Sequence, residues 1–247
     1  MQVWDQVYYS QTFGGAFLTP EQNPEMTEFC RKLWFFHFKK PLDTLPTDWS
    51  KVLEGLRKVF FSCEWYEVYD FVEFVAQHFP YKNGEKFIKM CNSVLQAESS
   101  GYRFVGDSIA PMTDSAEIDE IDKALTEPAG PVRTHLKRAL ELLSDRHKPD
   151  YRNSIKESIS AVESLVGAKL GEKGTLGQLI KRLEDEIKLH PALGKAFSSL
   201  HGYTSDQGGI RHALMESATV TFEDAKFLLV VCSAFVNFVE ARIPTSS

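Results

Sequence analysis

The sequence lacks the short motifs of the common phosphate-binding and hydrolytic enzymes. It has no GxxxxGK[ST] loop, no strand followed by GxGxxG, no HExxH and no GxSxG. Its four cysteines, Cys30, Cys63, Cys91 and Cys232, form no CxxC pair and lie in apolar helical patterns. We therefore expect free thiols in a reducing compartment, and we predict neither a metal site nor a cofactor.

Positive charge is also in short supply. The 247 residues include 28 Lys and Arg against 34 Asp and Glu, which gives a formal net charge of -6. Broad binding to a phosphate backbone requires many Lys and Arg on one face. The charge balance therefore argues against bulk DNA binding, although it allows a small basic pocket.

Long apolar runs are missing as well. The most apolar window, residues 225–239, is interrupted by Lys226, Ser233 and Asn237 and is too short to span a bilayer. The first residues, MQVWDQVYYS, have neither the basic region nor the apolar region of a signal peptide. We expect a cytoplasmic protein that does not enter a membrane.

A series of amphipathic helical patterns fills most of the chain. Apolar residues recur at intervals of three and four, and 18 of them are Phe. Two short apolar runs flank Gly106-Asp107, which predicts a small β-hairpin near residues 102–111. The prediction is an all-α fold, mainly a helical bundle, with this one hairpin. Residues 1–110 would form an N-terminal helical lobe that ends in the hairpin, and residues 111–247 a C-terminal bundle.

Two features of the C-terminal bundle can be read in more detail. A short helix begins at Pro191 and is predicted to end near Leu200, because residues 202–209 are rich in Gly, Ser, Asp and Thr and indicate a loop. Thr221 and Asp224 then cap the last long helix. That helix is apolar nearly all round, so we expect it inside the bundle.

The stretch with the clearest chemical potential is residues 197–214, FSSLHGYTSDQGGIRHAL, where a Gly-rich polar segment leads into Arg211 and His212. Arg is a fixed cation suited to phosphate, and His transfers protons near neutral pH. RNA cleavage through the 2′-hydroxyl needs little more than these two groups, and no metal. The structural alternative is that Arg211 pairs with a carboxylate and His212 bonds a backbone carbonyl.

Two carboxylates are candidates to orient that pair. Asp206 precedes Arg211 by five residues, although an Asp in a turn also serves as an Asx-turn or a helix cap. Glu157 and Glu163 are six apart on one predicted helix, so they cannot share a narrow face. Of these two, Glu157 is the better candidate for facing Arg211. We expect structural or solvent-facing roles for the other histidines, His37, His78, His135, His147, His190 and His201.

Several longer strings resemble a known family. The segments DYRNSIKESISAVESLV (150–166), HPALGKAFSSLHGYTSDQGGIRHAL (190–214) and DAKFLLVVCSAFVNFV (224–239) resemble the C-terminal helical region of AbiJ-type abortive-infection proteins, which is similar to a divergent HEPN domain. The segments RKLWFFHFKKPLDTLP (31–46) and APMTDSAEIDEIDKAL (110–125) are similar to the N-terminal domain that accompanies it. The resemblance implies a HEPN-like helical bundle, a homodimer, RNA as the target and a role in anti-phage defence.

The sequence departs from the usual HEPN ribonuclease pattern, in which four to six residues separate Arg from His. Arg211 and His212 are adjacent, and the spaced pair Arg31 and His37 is a match that chance alone would supply in a chain of this composition. Two possibilities follow. Either Arg211 and His212 form a compacted active site, or a HEPN-like fold binds its target without cleaving it.

The resulting functional prediction is a HEPN-like effector or sensor of abortive infection with metal-independent endoribonuclease activity. Arg211, His212, Asp206 and Glu157 would carry the catalysis. The alternative is a non-catalytic helical module that binds RNA, a nucleotide or a protein and mediates assembly.

Overall fold

The structure is a computed structural model, and it describes residues 24–78, 84–126, 130–205 and 220–243. Within these ranges lie ten α-helices and one two-stranded antiparallel sheet, which confirms the predicted mainly α fold with a small hairpin. The chain separates into two compact units, Met1–Pro111 and Met112–Ser247.

The described part of the first unit contains four α-helices followed by the hairpin. Their bounds are α1 Pro24–Lys32, α2 Trp49–Ser62, α3 Trp65–His78, α4 Gly84–Ala97, β1 Arg103–Val105 and β2 Ser108–Ala110. Helix α1 continues into a π-helical turn, Leu33–His37, and a short 3-10 turn follows at Leu42–Thr44.

Local sequence explains where these elements begin and turn. Helix α2 begins after Asp48, whose carboxylate accepts a hydrogen bond from the N–H of Ser50. The hairpin turns at Gly106, whose φ of 57° lies in the left-handed region that favours glycine. Phe104 pairs with Ile109 across the hairpin, and both side chains are buried in the core that the helices form.

Aromatic packing dominates one side of this core, around His37. Its ring centroid lies 4.9 Å from that of Phe38, 5.8 Å from Phe71 and 5.4 Å from Phe74. Burial lowers the pKa of His37 below its ordinary value of 6.5, because the charged imidazolium would lose its water among these rings. The nearby carboxylate of Asp70 opposes that shift.

The described part of the second unit is built from six helices. Their bounds are α5 Ser115–Thr126, α6 Pro131–Ser144, α7 Tyr151–Leu170, α8 Leu176–Ile187, α9 Pro191–Ser205 and α10 Phe222–Arg242. Helix α7 is capped by Asp150, which accepts from the N–H of Asn153, and it ends at Gly171 in a left-handed conformation. The predicted capping box of Thr221 and Asp224 is present at the start of α10.

Helix α10 packs against α5, α6 and α7. Its buried residues lie on several sides of the helix, as expected for a helix that is apolar nearly all round. They are Ala225, Leu228, Leu229, Cys232, Ser233, Phe235, Val236, Asn237 and Val239. Among the residues that the structure describes, no helix has the length and apolar character needed to cross a membrane.

An ion pair with little exposed surface joins α7 to the end of α10. Lys169 Nζ lies 2.6 Å from Glu240 Oε2, and the two side chains are only 9% and 14% exposed. Removing one partner of such a pair leaves the other charge poorly solvated. The pair therefore fixes how the C-terminal turns of the two helices meet.

The predicted end of the short helix from Pro191 is wrong. Helix α9 continues past Leu200 through Gly202 to Ser205. A glycine inside a helix costs only about 1 kcal/mol relative to alanine, so one Gly does not stop a helix that is held by its neighbours. The rest of the predicted loop, residues 206–209, lies outside the described residues.

The ion pair between α7 and α10 generates the first prediction. Lys169→Met should lower the free energy of unfolding of the second unit by about 3 kcal/mol, because Glu240 loses its ammonium partner. The double variant Lys169→Met/Glu240→Leu should lose less, because neither charge is then buried. The measurement is urea unfolding followed by far-UV circular dichroism. A double variant less stable than the single one would contradict this account.

The packing of His37 generates the second prediction. Because folding lowers its pKa below 6.5, the unfolded chain takes up the proton first, and stability falls as the pH drops from 6.5 to the pKa of the folded state. His37→Gln should reduce this loss. Tryptophan fluorescence reports on the first unit, since all four Trp precede residue 66. The urea midpoint is measured at pH 7.5 and at pH 5.5 for the wild type and for His37→Gln. An equal drop in the two proteins would show that His37 is not responsible.

Candidate functional site

Of the four residues predicted to carry catalysis, one lies in the described part of the chain. Glu157 lies on α7. Asp206, Arg211 and His212 lie outside the described residues, so their arrangement stays a prediction.

Glu157 pairs with His135 of the neighbouring helix α6. The distance from His135 Nδ1 to Glu157 Oε2 is 2.7 Å, and the two side chains are 33% and 26% exposed. One turn away, the hydroxyl of Ser154 donates to the carbonyl of Ala139 at 2.7 Å and fixes the two helices against each other. The pair therefore lies at the solvent-accessible edge of the interface between α6 and α7.

This pairing prepares His135 for proton transfer. When the carboxylate accepts a hydrogen bond from Nδ1–H, the lone pair of the neutral ring is placed on Nε2. Within the described residues, Nε2 has no hydrogen-bond partner. A histidine oriented by a carboxylate and open at its other nitrogen is the arrangement that a general base requires. Glu157 thus contacts His135, whereas its predicted role beside Arg211 and His212 stays a prediction, because those two residues lie outside the described ranges.

A cation lies close to this pair along α6. Arg138 follows His135 by three residues, so the two side chains share one helix face. Its guanidinium donates to Glu141 Oε2 at 3.0 Å, and both side chains are exposed. Because an exposed ion pair contributes little, a phosphate group can displace Glu141 from Arg138 at small cost.

A second histidine–glutamate pair lies on another side of α7. Glu163 Oε1 is 3.0 Å from His201 Nε2, and the same oxygen accepts from the N–H of Leu176 at 3.0 Å. Glu163 therefore ties α7 to the start of α8 and to α9. His201 belongs to the stretch 197–214, which also carries Arg211 and His212.

Sequence reasoning missed both histidines as partners of α7. His135 and His201 were expected to be structural or solvent-facing, and each bonds a glutamate of α7, which is compatible with a structural role. The available signal was the pair of glutamates six residues apart. Two carboxylates facing different sides of a half-buried helix need separate partners on the helices that flank it.

The surroundings of the other candidate groups in the described ranges indicate structural roles. Arg31 is exposed on α1, whereas His37 packs among aromatic rings. Burial raises the pKa of the thiols of Cys30, Cys91 and Cys232 to about 12, so they stay protonated. Among the described residues, no group of His, Cys, Asp and Glu is arranged to hold a metal ion.

Comparison with known proteins gives one match. No curated protein matches the chain, and no solved structure matches it. The family model described as AbiJ N-terminal domain 4 matches residues 2–127, which is just over half of the 247 residues. The match ends before both histidine–glutamate pairs, and it supports an abortive-infection defence context for the chain. The chain belongs to the AbiJ N-terminal domain 4 family.

Proposed function

We propose that the second unit cleaves RNA without a metal and acts as the effector of an abortive-infection defence. The observation that supports this proposal is the hydrogen bond between His135 Nδ1 and Glu157 Oε2, at the edge of the α6–α7 interface and beside Arg138. The three groups supply a base, the carboxylate that orients it and a cation for phosphate.

The proposed reaction is an internal transfer at phosphorus. His135 Nε2 takes the proton of the ribose 2′-hydroxyl, and the 2′-oxygen forms a bond to phosphorus. The bond from phosphorus to the 5′-oxygen breaks, and that oxygen leaves as a hydroxyl after it receives a proton. The products are a 2′,3′-cyclic phosphate and a 5′-hydroxyl end, and neither a metal nor an oxidant takes part.

The residues outside the described ranges have proposed roles in the same reaction. His212 would protonate the leaving 5′-oxygen, Asp206 would orient His212, and Arg211 would stabilise the negative charge on phosphorus together with Arg138. A small basic pocket of this kind is compatible with the net charge of -6. The resemblance to HEPN proteins supports a homodimer, which sedimentation equilibrium of the purified chain would test.

A binding role without cleavage is the second candidate. It is favoured by the extent of the family match, which covers the first unit and ends before both histidine–glutamate pairs. In that case the pairs of α7 serve to join helices, and the first unit carries the recognition.

Cleavage of total bacterial RNA and of defined tRNA in EDTA tests the catalytic proposal. Wild-type protein should cut both, and His135→Ala should lower the rate about 100-fold or more, since general base catalysis contributes roughly 10²–10⁴-fold. Glu157→Gln should lower the rate at least about tenfold, because His135 loses its orienting charge. The double variant Arg211→Ala/His212→Ala should be inactive.

Glu163→Gln is the matched control, because it makes the same change on the same helix in the other histidine–glutamate pair. It should leave the rate within about twofold of wild type, with circular dichroism showing that every variant is folded. Cleavage that is equal in wild type and His135→Ala would refute the role of His135. A wild-type protein that cuts neither RNA would leave binding as the working function.

A further inference from the structure

The first unit contains an open cavity of about 600 Å³ between α3, α4 and the segment that leads into β1. Its apolar floor comes from Val94 and Leu95 of α4, which are nearly fully buried. Its walls carry Trp65 and Tyr69 of α3 and Tyr102 before β1. Because the cavity is open to solvent, a small flat molecule can lie against its aromatic wall.

The three aromatic rings form a mutually supported wall. The centroid of Trp65 lies 5.7 Å from that of Tyr69 and 5.7 Å from that of Tyr102, and the two tyrosines are 5.2 Å apart. These contacts hold Trp65 in place, yet 55% of its surface is exposed. A large apolar ring that is fixed and still open to solvent is a stacking surface for a flat ligand.

Hydrogen bonds fix the rim of the cavity before any ligand arrives. The hydroxyls of Tyr69 and Ser100 are 2.9 Å apart, and Ser100 Oγ accepts from the N–H of Tyr102 at 3.2 Å. The guanidinium of Arg103 donates to the carbonyls of Ser100 and Tyr102, each at 2.7 Å. A rim held in this way loses little conformational freedom on binding, which favours affinity.

The charge of the cavity narrows the choice of ligand. Among the described residues that line it, the one charged side chain is that of Glu98. A carboxylate accepts hydrogen bonds and repels phosphate. A ligand that stacks on Trp65 and bonds the carboxylate of Glu98 must therefore be flat and carry hydrogen-bond donors.

We propose that this cavity binds a guanine base. Guanine has adjacent donors, N1–H and the N2 amino group, which match the two oxygens of one carboxylate, and its ring system can stack on Trp65. Adenine presents an acceptor and a donor on the same edge and pairs less well with Glu98. The phosphates of a nucleotide or of RNA would stay outside, in solvent. The proposal does not depend on RNA cleavage by the second unit.

Calorimetric titration of the full chain with guanosine, adenosine and choline tests the proposal. Guanosine should bind at least tenfold more tightly than adenosine, and choline should not bind. Equal affinity for the two nucleosides, no binding of guanosine at millimolar concentration, or preferential binding of choline would each overturn it. Choline is included because aromatic rings beside a carboxylate can also hold a quaternary ammonium ion.

Three variants locate the site. Trp65→Ala should weaken guanosine binding at least tenfold, and Glu98→Gln should remove the preference over adenosine. Phe35→Ala is the control, because Phe35 is an equally exposed ring of the first unit that does not line the cavity. It should bind guanosine like wild type. Unchanged binding by both Trp65→Ala and Glu98→Gln would overturn the assignment.

Two sources of guanine remain to be distinguished, a free nucleoside and an unpaired base in RNA. Fluorescence anisotropy with a labelled eight-nucleotide oligoadenylate, with and without one central guanine, separates them. A guanine-containing strand that binds more tightly than both guanosine and the plain oligoadenylate identifies RNA as the source, and a strand that binds no more tightly than guanosine identifies the free nucleoside. If guanine in the strand makes no difference and guanosine does not bind, the cavity is not a guanine site.

Discussion

The second unit depends on covering helix α10, whose apolar residues point in nearly every direction. An isolated helix of this kind would expose large apolar area to water, which is unfavourable by about 25 cal/mol for each Å². Helices α5, α6 and α7 pack around it and remove that area from solvent. Two polar side chains of α10 bind neighbouring residues: Asn237 Nδ2 donates to the carbonyl of Glu120, and Lys226 Nζ pairs with Glu117. The position of α7, and hence of both its glutamates, follows from this requirement.

Residues on different faces of helix α7 therefore have different roles. Its buried residues, including Ile155, Ile159, Val162 and Val166, serve the core. Glu157 and Glu163 leave the core on separate sides, and each meets a histidine from a different helix. A carboxylate half removed from water is stabilised by such a donor, and the donor is in turn held in one orientation. Each of these contacts joins two helices and also holds a histidine in one orientation.

Most of the fold could be predicted from the sequence, because the capping and turn residues lie at the ends of the segments whose apolar residues are buried. Thr221 and Asp224 cap helix α10 where they were expected to, and Gly106 turns the hairpin. The end of α9 was predicted five residues early, because the composition of residues 202–209 was weighed without the packing that carries the helix through Gly202. In the candidate site, Glu157 contacts His135, a partner that the sequence did not indicate. Which histidine a glutamate meets depends on how helices dock, and residues 22 apart in sequence, as His135 and Glu157 are, give no local signal.

The extent of the family match and the division into compact units do not coincide. The family model runs to residue 127, whereas the first unit ends at Pro111, so α5 belongs to the family region but folds with the second unit. Ile121 and Ala124 of α5 are fully buried there. In a fragment that ends at residue 127, the amphipathic helix α5 would lack the helices against which it packs. In the remainder of the chain, one side of α10 would be exposed to water. The region that the family model matches and the compact unit are thus offset by one helix, so the apolar face of α5 is covered by residues that lie beyond the matched region.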